Sequence, residues 1–208
     1  MTKLKQDTCK LCTAIVDSLE NGINSKIENR LLFSTESFVV TPCISPLEPG
    51  HILITSKKHY QNLSLMDSKS FDEIQEIINH LAEKLPGFYS NYLIAEHGAY
   101  DFEQNSGACI IHTHLHVIPN SGNSLSGFDK ILKFKKLDSL YQIKEIDFPY
   151  ILAATNEIIK VYNADNVPSQ MIRRLVLASK GEIENWDWRL KTNESFNEMT
   201  IKKWNNVE

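Results

Sequence analysis

His112, His114 and His116 alternate within the run Ile110-Ile111-His112-Thr113-His114-Leu115-His116-Val117-Ile118-Pro119. The flanking residues are apolar or β-branched, so the run predicts a β-strand. Successive side chains on a strand point to opposite faces. All three imidazoles are therefore expected on one side, with Leu115 and Val117 on the other. Packing gives no reason to set three imidazoles side by side. The plainest reading is a set of hydrogen-bonded, partly buried histidines. Two chemical readings compete with it. One is a metal site, because neutral imidazole is a common ligand. The other is phosphorus chemistry, in which the central imidazole attacks a phosphate and its neighbours orient it. Neutral imidazole is abundant at pH 7 and forms covalent intermediates.

Two further segments carry chemistry-bearing residues. Cys9-Lys10-Leu11-Cys12 places two thiols two residues apart, a spacing that suits a tetrahedral zinc knuckle. A chance pair near the terminus is the alternative. Ser45-Pro46-Leu47-Glu48-Pro49-Gly50-His51 is followed by the apolar stretch Ile52-Leu53-Ile54-Thr55 and then Ser56-Lys57-Lys58-His59. The three segments in this order resemble the histidine triad (HIT) family of nucleotide hydrolases and transferases. The shared features are the His-x-His-x-His run, the Pro-Gly-His block with its basic-His end, and the cysteine pair of zinc-containing members. The resemblance covers roughly residues 9–119.

The resemblance implies a role for each matching residue. His114, the middle histidine, is expected to attack the α-phosphorus of a nucleotide derivative and form a nucleotidyl-histidine. Water or another acceptor then displaces it. His116 and His51 match positions that contact and orient the phosphate and the nucleophile. In zinc-containing members the ligands match Cys9, Cys12, His59 and His112. Four protein ligands would close the site and make the zinc structural. The implied activity is that of a nucleotide-phosphate hydrolase or nucleotidylyltransferase with a small-molecule nucleotide substrate. Family members often pair as dimers, so a homodimer is possible. Readings from other classes are a nucleotide-binding module with little turnover and a metal- or redox-sensing protein.

Several positions depart from the family pattern. Cys43 stands where an Asp or Asn usually holds the ribose hydroxyls, and a thiol is a poor partner for a diol. Gly107-Ala108-Cys109 replaces a block with Gln and a hydroxyl residue, so Ala108 and Cys109 mark a substrate-facing position that has lost a donor. Glu96 replaces an Asn, and the loop from Ala99 to Ser106 is longer than usual. His97 is a candidate replacement contact. Gln170 and Arg174 are four apart and would share a face of a C-terminal helix, where both could reach phosphate. Trp186 and Trp188 could stack on a base, although core anchoring is the commoner use.

These residues need elements to hold them. Phe38–Thr41, His51–Thr55 and Tyr92–Ala95 read as strands. Ser70 to Leu85 reads as a helix, with Phe71, Ile74, Ile77, Ile78, Leu81 and Leu85 on one face. Ser70 and Glu73 suggest a capping box, and Pro86-Gly87 a stop. The loop-like stretch 120–127 divides the chain into a HIT-like catalytic domain (1–120) and a helical C-terminal extension packed on it (121–208). In that extension Pro149–Tyr162, Pro168–Ser179 and Glu194–Trp204 read as helices. The expected fold is α+β, an antiparallel sheet with helices. No internal repeat is visible.

The chain has 208 residues, 42% hydrophobic and 23% charged, close to ordinary globular usage. A net charge of −4 argues against coating a nucleic acid polymer. Lys130, Lys133, Lys135 and Lys136 read as a solvated face. No apolar run is long enough for a membrane span, and the polar N-terminus is unlike a signal peptide. Cytoplasmic residence is the expectation. In that compartment the four cysteines read as ligands or core residues rather than disulfides.

Overall fold

The computed structural model describes residues 9–13, 15, 31–99, 108, 110–190 and 192–206. Its strands are β1 (Phe33–Ser34), β2 (Phe38–Pro42), β3 (Ile52–Ser56), β4 (Tyr92–Gly98), β5 (His114–Pro119), β6 (Phe134–Leu137), β7 (Tyr150–Ala154) and β8 (Ile159–Asn163). The helices are α1 (Ser68–Lys84), α2 (Leu125–Ile131), α3 (Met171–Ser179) and α4 (Glu194–Asn205). The strands form one antiparallel sheet in the order β1-β2-β3-β5-β4-β7-β8-β6. The fold is thus α+β, an antiparallel sheet with helices.

The sheet has two buried faces. On one, Leu115 and Val117 of β5 join Val40, Ile52 and Ile54 beneath the apolar stripe of α1, Phe71, Ile74, Ile77, Ile78 and Leu81. On the other, Leu93, Ala95, Ile118, Ile151 and Ala153 lie beneath Phe128 of α2 and Ile172, Leu175 and Val176 of α3. Strand alternation puts His114 and His116 on this second face, the one roofed by the C-terminal half.

Helix α1 starts two residues earlier than its pattern suggests. Its cap is Asp67, whose carboxylate accepts the Ser70 N–H at 3.0 Å. The expected Ser70–Glu73 capping box is absent. Glu73 instead accepts the Thr35 hydroxyl at 2.6 Å and the Ser37 N–H at 2.9 Å, tying α1 to the β1–β2 turn.

The helix expected over Pro149–Tyr162 is a β-hairpin instead, β7 and β8 joined at Asn156-Glu157. All five residues of β7 are buried. A strand covered on both faces shows no polar alternation, so its apolar run resembles a buried helix. The C-terminal half therefore supplies three strands as well as its helices, and β7 pairs directly with β4.

Strand order is mirrored about that β4–β7 junction: β3-β5-β4 on one side, β6-β8-β7 on the other. Ala95 of β4 faces His116, and Ile151 of β7 faces Tyr162 in the matching place. Where β5 carries His114 and His116, β8 carries Lys160 and Tyr162, and both donate to Asp129 at 2.7–2.8 Å. The two-fold echo is a property of backbone pairing and leaves no repeat in the sequence. No helix among the described residues is long and apolar enough to cross a membrane.

Candidate active site

A cavity of 310 Å³ lies on the second face of the sheet. Its floor is made of same-face residues from adjacent strands: Val39 and Thr41 of β2, Leu53 and Thr55 of β3, His114 and His116 of β5, and His97 of β4. The ladder fixes these neighbours, with Thr55 opposite His114 and Leu53 opposite His116. Lys10, Leu11 and Ile15 line one wall. Gln170, Ile172, Arg173 and Trp188 from the C-terminal segment line another. The size suits a small molecule, and the mixture of apolar wall and convergent imidazoles suits a binding site.

Hydrogen bonds set where each imidazole carries its proton. His114 Nδ1 lies 2.6 Å from the His112 carbonyl oxygen and must donate to it. Its Nε2, on the far side of the ring, then keeps a lone pair. The Leu47 N–H donates to His51 Nδ1 at 3.1 Å, so the proton of neutral His51 sits on Nε2. His51 Nε2 is 3.0 Å from His116 Nδ1 and donates to it. The proton of His116 is thereby placed on its own Nε2. The result is a lone pair on His114 beside a donor on His116, with the two rings 5.3 Å apart.

Burial keeps these rings neutral. It holds His51 well below the ordinary imidazole value, and the charges of Arg173 and Lys180 add to the effect. Burial does the same to His116, helped by His51, His114, Arg173 and His97. His114 is also lowered by burial, partly offset by its bond to the His112 carbonyl. A neutral imidazole is the form that has a lone pair to offer.

His51 is positioned by the turn that precedes β3. Gly50 adopts a φ of +84°, and a Cβ there would come within 2.6 Å of the Phe88 ring. Glycine satisfies both demands. The Pro-Gly-His block is thus a backbone device that presents His51 beneath His116.

The structure separates the three alternating histidines. Strand β5 begins at His114, and His112 lies in the bend before it. The three imidazoles do not share one site. His112 Nε2 donates to the Ser56 carbonyl at 2.7 Å, which leaves Nδ1 with the lone pair. That Nδ1 is 3.4 Å from both Cys9 Sγ and Cys12 Sγ, and Cys12 Sγ is 3.2 Å from His59 Nδ1. The four donor atoms lie within 4.8 Å of one another. A tetrahedral zinc with typical Zn–S and Zn–N bonds has S···N edges of about 3.5 Å, so the set fits such an ion. The hydrogen bond from His112 Nε2 to a carbonyl is the kind that orients a ligating imidazole. Burial pushes the Cys12 thiol up to about 12, with the neighbouring Cys9 adding to it.

Cys43, His51 and His116 also cluster within 4.8 Å. Binding a cation there through His51 Nε2 would require its proton to move to Nδ1, against the Leu47 N–H. The hydrogen bonds therefore favour a proton-sharing pair at that place.

Other expected residues fall variously. His97 and Ala108 line the cavity, and Cys109 lies outside the described residues. Gln170 lines the cavity, but its amide donates to Asp187 at 3.1 Å and accepts the Trp188 N–H at 3.0 Å. Gln170 and Arg174 do not form a shared phosphate-facing helical face. Gln170 has a φ of +59° and precedes α3 rather than belonging to it. Arg174 stacks on Trp186, 3.3 Å from the ring centroid, and is not among the residues lining the cavity. Its neighbour Arg173 is the one turned inward, 5% exposed, donating to Ser45 and to the Trp186 carbonyl. The adjacent arginines were visible in the sequence, but the choice between them depends on where the helix starts.

Residues 24–123 match the family model of the HIT domain. An uncharacterized HIT-like protein of Borreliella burgdorferi is 25% identical over 122 residues, 55% of this chain and 88% of that protein. Among solved structures, a zinc-bound histidine triad family protein from Mycobacterium smegmatis is 20% identical, with 55% of this chain and 76% of that chain covered and a TM-score of 0.41. A Hit-like protein from Bartonella henselae, described as involved in cell-cycle regulation, is 20% identical. That match covers 43% of this chain and 64% of that chain, with a TM-score of 0.35. Residues 24–123, just under half of the chain, are thus similar to a HIT domain. The matched stretch contains His51, His59 and the histidine run, whereas Cys9, Cys12 and the segment after residue 123 lie outside it.

Proposed function

We propose that the protein is a nucleotide-phosphate hydrolase or nucleotidylyltransferase that works through a covalent intermediate on His114. The observation that carries this reading is the pairing of proton positions. The His114 Nδ1–H is committed to the His112 carbonyl, and the His51–His116 chain leaves a donor on His116 Nε2. In the first step His114 Nε2 uses its lone pair to form an N–P bond as the bond from phosphorus to the leaving group breaks. The His112 carbonyl stabilises the positive charge that develops on the ring. The His116 N–H stabilises charge on a non-bridging phosphoryl oxygen. In the second step water or another acceptor forms a bond to phosphorus, the N–P bond breaks, the neutral imidazole returns, and the acceptor's proton passes through solvent to the departed leaving group.

The test is direct. Wild-type enzyme quenched without acid during turnover of a nucleoside 5′-phosphoramidate should carry a nucleotidyl adduct on His114 by mass spectrometry. His114→Ala should fold, bind and fail to turn over. Wild-type activity in His114→Ala would overturn the assignment.

We infer further that Cys9, Cys12, His59 and His112 hold one structural zinc. The S···N separations of 3.2–3.4 Å support this, as does the His112 lone pair directed at both thiols. Such an ion would supply folding free energy by joining the helical turn at 10–13 to the end of β3 and the approach to β5. Four protein ligands leave no open position for substrate.

A further inference from the structure

The turn that presents His51 is held from outside the family-matched stretch. Arg173 donates from Nη1 to the Ser45 carbonyl at 2.7 Å and from Nη2 to the Ser45 hydroxyl at 3.1 Å. Its Nε donates to the Trp186 carbonyl at 2.7 Å, so the guanidinium plane is fixed on two sides. Asn193 Nδ2 donates to the Pro46 carbonyl at 3.1 Å. Lys180 forms an ion pair with Glu48. The Gly50 N–H donates to Thr200 Oγ1 at 2.7 Å, and the Thr200 hydroxyl is in turn anchored on the Phe196 carbonyl. Four turn residues, Ser45, Pro46, Glu48 and Gly50, are thus tied to α3, α4 and the residues flanking them. A fifth, Leu47, gives its N–H to His51 Nδ1.

We propose that the C-terminal segment is a clamp that sets the proton positions of the His51–His116 pair, with Arg173 as its central positioning residue. The inference rests on the reading of His116 as a donor to phosphate. Its physical content is a choice between two tautomer chains. With the Leu47 N–H held against His51 Nδ1, protons sit on His51 Nε2 and His116 Nε2, and the cavity meets a donor. If the turn relaxes and that N–H withdraws, His51 can carry its proton on Nδ1. The His51–His116 hydrogen bond then survives in reverse, with His116 donating from Nδ1. His116 Nε2 becomes a lone pair, which repels a phosphoryl oxygen. The rings and their strands keep their places between the two states; the turn at Leu47 and the ring protons move. Arg173 suits the task because its fork binds a carbonyl and a hydroxyl of one residue at once, a geometry lysine lacks.

The experiment uses the full chain labelled with ¹⁵N-histidine. Long-range proton–nitrogen spectra at a pH where the rings are neutral report each tautomer. Wild type should show His51 and His116 wholly as Nε2–H. Arg173→Lys should show a mixture at both residues. Its kcat with a nucleoside 5′-phosphoramidate should fall in proportion to the His116 Nε2–H population lost, towards about a hundredfold where that tautomer is gone altogether, with KM changing far less. Thr200→Val and Asn193→Ala each remove one tie, with smaller losses in the same direction. They serve if Arg173→Lys does not fold. Unaltered tautomers in folded variants would overturn the proposal, as would a wild-type His116 protonated on Nδ1. Absence of an adduct on wild-type His114 would count against the covalent mechanism alone, because the tautomer spectra do not depend on turnover.

Discussion

The carbonyl oxygen of His112 accepts the Nδ1 proton of His114 at 2.6 Å, so one residue belongs to both centres of the molecule. Its side chain faces the two thiols, and its backbone fixes the ring proposed as nucleophile. The cysteine–histidine cluster and the His114 ring are therefore mechanically coupled, although they lie on different sides of the His112 peptide.

That coupling gives the first prediction. Purified protein should contain about one zinc per chain, and Cys9→Ser should lose it and melt at lower temperature. Because His112 would then be less firmly held, kcat should fall at least about tenfold while KM moves less. Metal analysis and steady-state kinetics on the same preparation check both parts. Full retention of zinc in both Cys9→Ser and Cys12→Ser would refute the ligand set.

A second prediction concerns the sugar. Cys43 lines the cavity, and its thiol is directed to the Ser45 carbonyl at 3.6 Å. A thiol gives little purchase on vicinal hydroxyls. A nucleoside 5′-phosphoramidate and its 2′,3′-dideoxy analogue should therefore differ by less than about threefold in kcat/KM, under 1 kcal/mol. Cys43→Asp should increase the preference for the ribose form. A strong ribose preference in wild type would show that another residue holds the diol.

The third prediction is a pH dependence of stability. Glu96 is buried beneath the opposite face, accepting the Tyr150 hydroxyl at 2.5 Å and the Leu63 N–H at 3.0 Å, and burial pushes its carboxyl up to about 7. A raised carboxyl value means the folded state holds a proton that the unfolded chain releases. Its stabilising share is present below the ordinary value of 4.5 and is lost as pH rises through about 7. The displacement corresponds to roughly 3 kcal/mol at most. Between pH 5 and about 8 the denaturation midpoint of Glu96→Gln should rise relative to that of wild type. An unchanged slope would mean that Glu96 is ionised at little cost.

The histidines of the site act with the opposite sign. The values of His51, His114 and His116 lie below 6.5 in the folded protein, so the unfolded chain binds more protons. Their share of stability is complete above about 6.5 and declines as pH falls. In urea titrations from pH 7 down to pH 4.5, the midpoint of His51→Gln should rise relative to that of wild type as pH falls. A constant difference between the two proteins would remove His51 from the account.

The last prediction follows from the stacking of Arg174 on Trp186 away from the cavity. Arg174→Ala should leave kcat/KM within about twofold of wild type and cost about 1 kcal/mol of stability or less, as expected for a half-buried cation–π contact. A tenfold kinetic loss would place Arg174 on the substrate after all.

The sequence by itself determined the local chemistry. Alternation put His114 and His116 on one face, the Pro-Gly-His block marked the turn before β3, and the apolar stripe of α1 announced its buried side. Each of these is written in spacings of a few residues. The tertiary structure decided the rest. It drew His112 away from its neighbours, because that ring lies outside the ladder and meets Cys9, Cys12 and Ser56, distant in sequence. It made a hairpin of residues 150–163, since a strand buried on both faces carries no alternation to read. It turned Arg173 rather than Arg174 inward, because the left-handed Gln170 delays the start of α3. The proton positions of His51 and His116 follow from bonds that join Leu47, His51 and His116 across two strands, and the turn before His51 is gripped by Arg173, which no local pattern pairs with the Ser45 carbonyl.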